Sequence, residues 1–135
     1  MKRLLEESIE GDVKRFVEAK GYDVYRQVQV LGRRIDILGV REGSMLAVEL
    51  KVRDWKYAIY QAYLASLCAS KVYVALPNAT IHLANPNVFV ENGIGLLSVN
   101  GNVEVVVEAR ELNNVHKTLQ NRIAESLKSN SEMAS

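Results

Sequence analysis

Two short runs decide how this chain is read: Arg34-Ile35-Asp36-Ile37-Leu38 and, beyond a glycine turn, Ala47-Val48-Glu49-Leu50-Lys51. Each is apolar and strand-like, yet the first carries an acid and the second an acid and a lysine two residues apart. A charge inside a covered strand is costly unless something pairs with it. The intervening Arg41-Glu42-Gly43-Ser44 is a good turn sequence. A turn centred on Glu42-Gly43 pairs residues whose numbers sum to about 85, which sets Asp36 opposite Glu49 on one sheet face. Side chains alternate along a strand, so Lys51 joins Glu49 while Leu50 points away. Ile35, Ile37, Leu46, Val48 and Leu50 are expected on the other face. A slip of one residue would separate the two acids.

Working outward, residues 2–20 predict a helix, with Leu5, Ile9, Val13, Phe16 and Val17 at three- and four-residue spacing and Gly21 as its stop. Tyr22 to Leu31 alternates like a strand, and Arg34 to Val40 and Met45 to Val52 follow as two more. Asp54 is placed to cap a helix running to Ser70, before a short strand Lys71 to Leu76. Residues 78–92 read as a helical segment broken at Asn85-Pro86. Ile94 to Val99 and Val103 to Glu108 form a hairpin around Asn100-Gly101, and a last helix covers Asn113 to Lys128. The expectation is a single α/β domain over 1–128, one mixed sheet with helices on both faces, and a flexible tail at 129–135.

Composition narrows the function classes. The chain has 135 residues, enough to bury a core without staples. Its net charge of +1 means that any nucleic-acid surface must gather its basic residues locally. A lone cysteine, Cys68, excludes an intrachain disulfide and a thiolate zinc cluster, and fits a reducing compartment. The first residues run into acids without a signal-like apolar segment, and no apolar run approaches the ~18 residues of a membrane span. A soluble, cytoplasmic protein without a membrane partner is expected.

Two carboxylates a few ångströms apart repel each other, and a divalent cation removes that cost. Oxygen ligands suit Mg²⁺, with Mn²⁺ able to substitute, rather than zinc. Lys51 is placed to orient or deprotonate a water or to offset charge on a phosphate. The competing reading is a salt-bridged ladder on an exposed strand. Apolar runs on both faces argue for a covered sheet instead.

The motif Asp36, Glu49-Leu50-Lys51 and a following helix resembles the PD-(D/E)XK nuclease superfamily, with its restriction endonuclease-like core (αβββαβ). Among its branches it is most similar to the archaeal Holliday junction resolvases, which carry a glutamate on the first helix and then a glycine-aromatic step; here Glu10 precedes Gly21-Tyr22 by eleven residues. The resemblance spans residues 5–76. It implies a metal-dependent DNA endonuclease, a hydrolase of DNA repair or recombination acting on branched DNA, and a two-fold homodimer if a resolvase. By it, Asp36 and Glu49 are metal ligands, the Leu50 carbonyl is a further ligand, Glu10 is an extra acid reaching the metal, and Lys51 is the catalytic lysine. Ile35 stands where the superfamily often has a proline. Gln61 resembles the superfamily's helix glutamine beside the metal; a partly exposed glutamine on a core helix is the alternative.

Arg33, Arg34, Arg53 and Lys56 cluster around the acids in sequence, as phosphate-holding residues or as an ordinary solvated edge. Tyr57 and Tyr60 are expected in the core or an interface rather than as base-stacking platforms. His82 and His116 read as surface or cap residues. A non-catalytic nucleic-acid-binding or assembly subunit on the same fold is the second functional reading, and a two-carboxylate glycosidase fits poorly.

Overall fold

The computed structural model describes residues 2–134, and side chains for 6–129. Helix α1 (Lys2–Ala19) leads into strands β1 (Asp23–Val30), β2 (Arg33–Arg41) and β3 (Ser44–Leu50). Helix α2 (Trp55–Ala65) and strand β4 (Lys71–Pro77) follow, then a 3₁₀ turn (Asn78–Leu83) and helix α3 (Pro86–Asn92). Strands β5 (Gly95–Val99) and β6 (Val103–Val107) and helix α4 (Lys117–Ala134) complete the chain. The first six elements run αβββαβ, the order expected of a restriction endonuclease-like core.

All six strands form one mixed sheet in sequence order, antiparallel at β1–β2, β2–β3 and β5–β6 and parallel at β3–β4 and β4–β5. Helix α1 covers one face, burying Ile9, Val13 and Val17 against Ile37, Leu46, Val48, Leu50 and Tyr73. The other face carries Leu38, Ala47, Val72, Val74 and Leu96 under Ala58, Ala62 and Ala65 of α2, Phe89 of α3 and Ile123 of α4. The β2–β3 register pairs Ile37 with Val48 and Leu38 with Ala47, so the numbers sum to 85 as expected.

Four boundaries and faces differ from the sequence reading. Helix α2 ends at Ala65, not Ser70, because the chain turns through Ser66–Cys68; the Ser66 hydroxyl donates back to the Tyr63 carbonyl. Helix α4 starts at Lys117, where the His116 ring nitrogen accepts from Leu119 N. Its backbone continues to Ala134 through the expected tail; the side chains of 130–135 lie outside the described residues. Ile35 packs with the α2-side cluster instead of beside Ile37. The cause lies in β1, where Gln27 adopts a left-handed φ of 55° beside the Asp36 level. This kink breaks the alternation, and Val28, Val30 and Ile35 all turn toward α2.

Candidate metal and phosphate site

The two acids lie on adjacent antiparallel strands: Glu49 lines a cavity with Gln61 of α2, and Asp36 is close enough to hydrogen-bond with Glu49. Asp36 is held by the backbone: Leu50 N donates to its Oδ2 at 2.8 Å. Glu49 is 2 % exposed, and its Oε2 finds no hydrogen-bond partner among the described residues. Burial, then the neighbouring Asp36 charge and a hydrogen bond to Asp36, push the Glu49 carboxyl up to about 9. Lys51 and Arg33 pull it the other way by smaller amounts. Without a cation Glu49 therefore keeps its proton at neutral pH.

Glu49 and Gln61 line one cavity of about 180 Å³, together with Val30, Arg33, Arg34 and Ile35 of the kinked β1–β2 hairpin. That is many times the ~10–15 Å³ one water requires. Gln61 Oε1 is also buried without a partner. Gln61 reaches this place because Ala58, Ala62 and Ala65 form the face of α2 that lies on the sheet. Two orphaned oxygens beside a second carboxylate are a donor set that fits a hard divalent cation. Among the described residues no three His, Cys, Asp or Glu side chains group tightly enough to hold a metal. The described donors are thus the Glu49 carboxylate, with Asp36 hydrogen-bonded to it, and the Gln61 oxygen. Such a partial shell suits Mg²⁺, which keeps several waters and takes the rest from a substrate phosphate.

Glu10 stands apart from this group. Its carboxylate pairs with Arg26, whose β-partner Ile37 belongs to the α1-side cluster. Lys51 leaves β3 on the acid side and places its Nζ 5.2 Å from the Tyr57 ring centroid. Arg33 is half-buried over the Tyr60 ring, while Arg34, Arg53 and Lys56 are exposed.

Of the two places expected for Tyr57 and Tyr60, core or interface, the core is overturned. Both project into solvent, because alanines rather than tyrosines occupy the sheet-facing side of α2. Small residues let the helix approach the sheet closely, a preference that a hydrophobicity ranking hides. Leu31, outside the residues expected at the site, lines the cavity from the β1–β2 turn with φ of 50°. A bulky residue before Gly32 in a basic turn was the available signal.

Fold and site together define an α/β protein with a buried glutamate beside a half-buried aspartate on a β-hairpin. No protein-family model and no curated protein match the chain. Among solved structures, it is similar to a protein of unknown function from Silicibacter pomeroyi, with a TM-score of 0.69 at 16% identity over 93% of this chain and 85% of the other. A looser likeness, TM-score 0.46 at 15% identity, is to Pyrococcus furiosus SfsA, solved in complex with Ca²⁺; it covers 84% of this chain and 64% of that one. At such identities the Silicibacter likeness concerns the fold alone. No helix among the described residues is long and apolar enough to cross a membrane.

Proposed function

We propose that the chain is a metal-dependent DNA endonuclease that hydrolyses phosphodiester bonds, with branched DNA such as four-way junctions as its substrate class. The observation that carries this reading is the unpartnered Glu49 oxygen beside Asp36 in a cavity bordered by arginines. Asp36 and Glu49 would hold Mg²⁺ or Mn²⁺, with the Gln61 oxygen and Leu50 carbonyl beside them. When bound, the ion neutralises the carboxylate pair, acidifies a water and offsets phosphate charge. Holding the ion would require Glu49 to release its proton to solvent. The Lys51 ammonium donates to a phosphate oxygen and counters the charge that builds there. Arg33 and Arg34 at the cavity, with Arg53 and Lys56 nearby in sequence, hold neighbouring phosphates and set the strand's position.

One observation favours the second reading, a nucleic-acid-binding subunit without catalysis: Glu10 is engaged by Arg26 rather than offered to the acid pair. A single experiment separates the two. Supercoiled, linear, single-stranded and four-way-junction DNA are incubated with Mg²⁺, Mn²⁺ or chelator, using the wild type and Glu49→Ala. Metal-dependent cutting that falls by roughly a hundredfold or more in the variant is expected. Binding without cutting under every metal condition would assign the chain to the second class.

A further inference from the structure

The outer surface of α2 carries three exposed tyrosines, Tyr57, Tyr60 and Tyr63, and the first two have cations against their rings. Tyr57 and Tyr60 are 47% and 54% exposed, with ring centroids 6.1 Å apart and planes tilted by 34°. Each has a cation against it: Lys51 Nζ lies 5.2 Å from the Tyr57 centroid, and Arg33 Cζ lies 5.5 Å from the Tyr60 centroid. The same two cations act electrostatically on Glu49, so the rings border the acid site rather than some remote surface. Lys56, exposed on the same helix, adds positive charge.

Exposed aromatic faces interleaved with cations suit one ligand chemistry well. An unpaired nucleobase has a flat π-face to lay on a ring, and the phosphates on either side of it meet the cations. Bases inside a duplex are already stacked on their neighbours and cannot reach the rings without being extruded. A protein partner binding here would have to be acidic and aromatic-tolerant, and would also engage Arg33, which lines the acid cavity. A nucleic-acid strand instead brings its phosphates to that cavity.

We propose that Tyr57 and Tyr60, with Arg33 and Lys51, form a stacking platform for unpaired nucleotides, delivering a single-stranded segment to the acid pair. The proposal rests on the nuclease reading for what happens to that segment, but the binding itself needs neither metal nor catalysis. It narrows the substrate class to DNA with unpaired bases next to the scissile phosphate: flaps, frayed ends and junction centres.

The test is fluorescence anisotropy in chelator with the full chain. The probes are a labelled oligothymidylate of about a dozen nucleotides and a blunt duplex of similar length. The wild type is expected to bind the single strand more tightly than the duplex. The double variant Tyr57→Ala/Tyr60→Ala should weaken single-strand binding by roughly tenfold or more, and Tyr57→Phe/Tyr60→Phe should restore it to within about twofold, because stacking needs the ring and not the hydroxyl. Tyr63→Ala, whose residue lines a separate pocket that also holds Glu91 and Glu111, should change it by less than about twofold. Equal binding by wild type and the alanine pair would overturn the proposal, as would duplex preference. A wild-type dimer that the alanine pair dissolves, with strand binding intact, would reassign the rings to self-association. The Phe pair guards against misfolding of the alanine pair. Binding that follows the rings while no DNA is cut would fail the nuclease reading and leave the platform standing; cutting without ring-dependent binding would do the reverse.

Discussion

Glu49 is the residue on which the site turns. A carboxyl that is 2 % exposed, beside a second acid, cannot ionise cheaply. Its pKa is raised from the ordinary 4.5 to about 9, so the folded chain keeps a proton that the unfolded chain releases. The stability this confers is complete below about pH 4.5 and is lost progressively as pH rises toward 9. In that window the slope approaches about 1.4 kcal/mol per pH unit at 25 °C. Glu49→Gln mimics the protonated form and removes the titration. Metal-free wild type is therefore expected to lose Tm relative to Glu49→Gln as pH is raised from 5 to 9, and thermal melts in chelator across that range measure it. Parallel pH profiles would show that Glu49 ionises freely in the fold. That Asp36 and Glu49 share a face was legible from the turn at Glu42-Gly43, because a tight hairpin leaves only one register. The Glu49 proton was not legible, since it depends on how deeply α2 covers the strand.

At the scale of elements, α2 shows what periodicity conveys and what it hides. Its tyrosines, Gln61 and Leu64 suggest a large-residue face, but the buried positions are Ala58, Ala62 and Ala65. Close packing over β3 and β4 rewards small side chains, and the tyrosines are displaced outward beside Arg33 and Lys51. Ala62 is fully buried, so Ala62→Leu must push α2 away from the sheet. A loss of about 1–3 kcal/mol is expected by chemical denaturation. Because Gln61 moves with the helix, the variant should also weaken any response of the protein to Mn²⁺; unchanged stability would mean that α2 is loosely seated. Strand β1 shows a second limit. Nothing in Arg26-Gln27-Val28 marks the left-handed turn at Gln27, yet this kink carries Val30 and Ile35 to the cavity wall. Likewise the first helix was visible from its apolar spacing, but its rotation was not, and Glu10 meets Arg26 on the face away from α2.

For the whole molecule, the acid pair sits between a sheet sealed by α1 on one side and by α2, α3 and α4 on the other. Long-range closure depends on contacts such as Gln120 Nε2 donating to the Cys68 carbonyl at 2.9 Å, which fastens α4 behind the end of α2. No sequence pattern announces such a pairing across 52 positions. A fold closed around Glu49 and Asp36 should respond globally to an ion that takes the place of the Glu49 proton, since a ligand bound only by the native state raises its stability by about 2.7 kcal/mol at a hundredfold excess over Kd. Mg²⁺ or Mn²⁺ is accordingly expected to raise the Tm of the wild type by several degrees and to leave Asp36→Asn and Glu49→Gln nearly unmoved. The ion must displace the Glu49 proton, so its apparent affinity should strengthen by up to about tenfold per pH unit as pH approaches 9 and fade toward pH 5. Calorimetric titration in buffers of different ionisation enthalpy reads the same event as about one proton released per ion at neutral pH. A shift of equal size in all three proteins, or one independent of pH, would place cation binding elsewhere on the molecule.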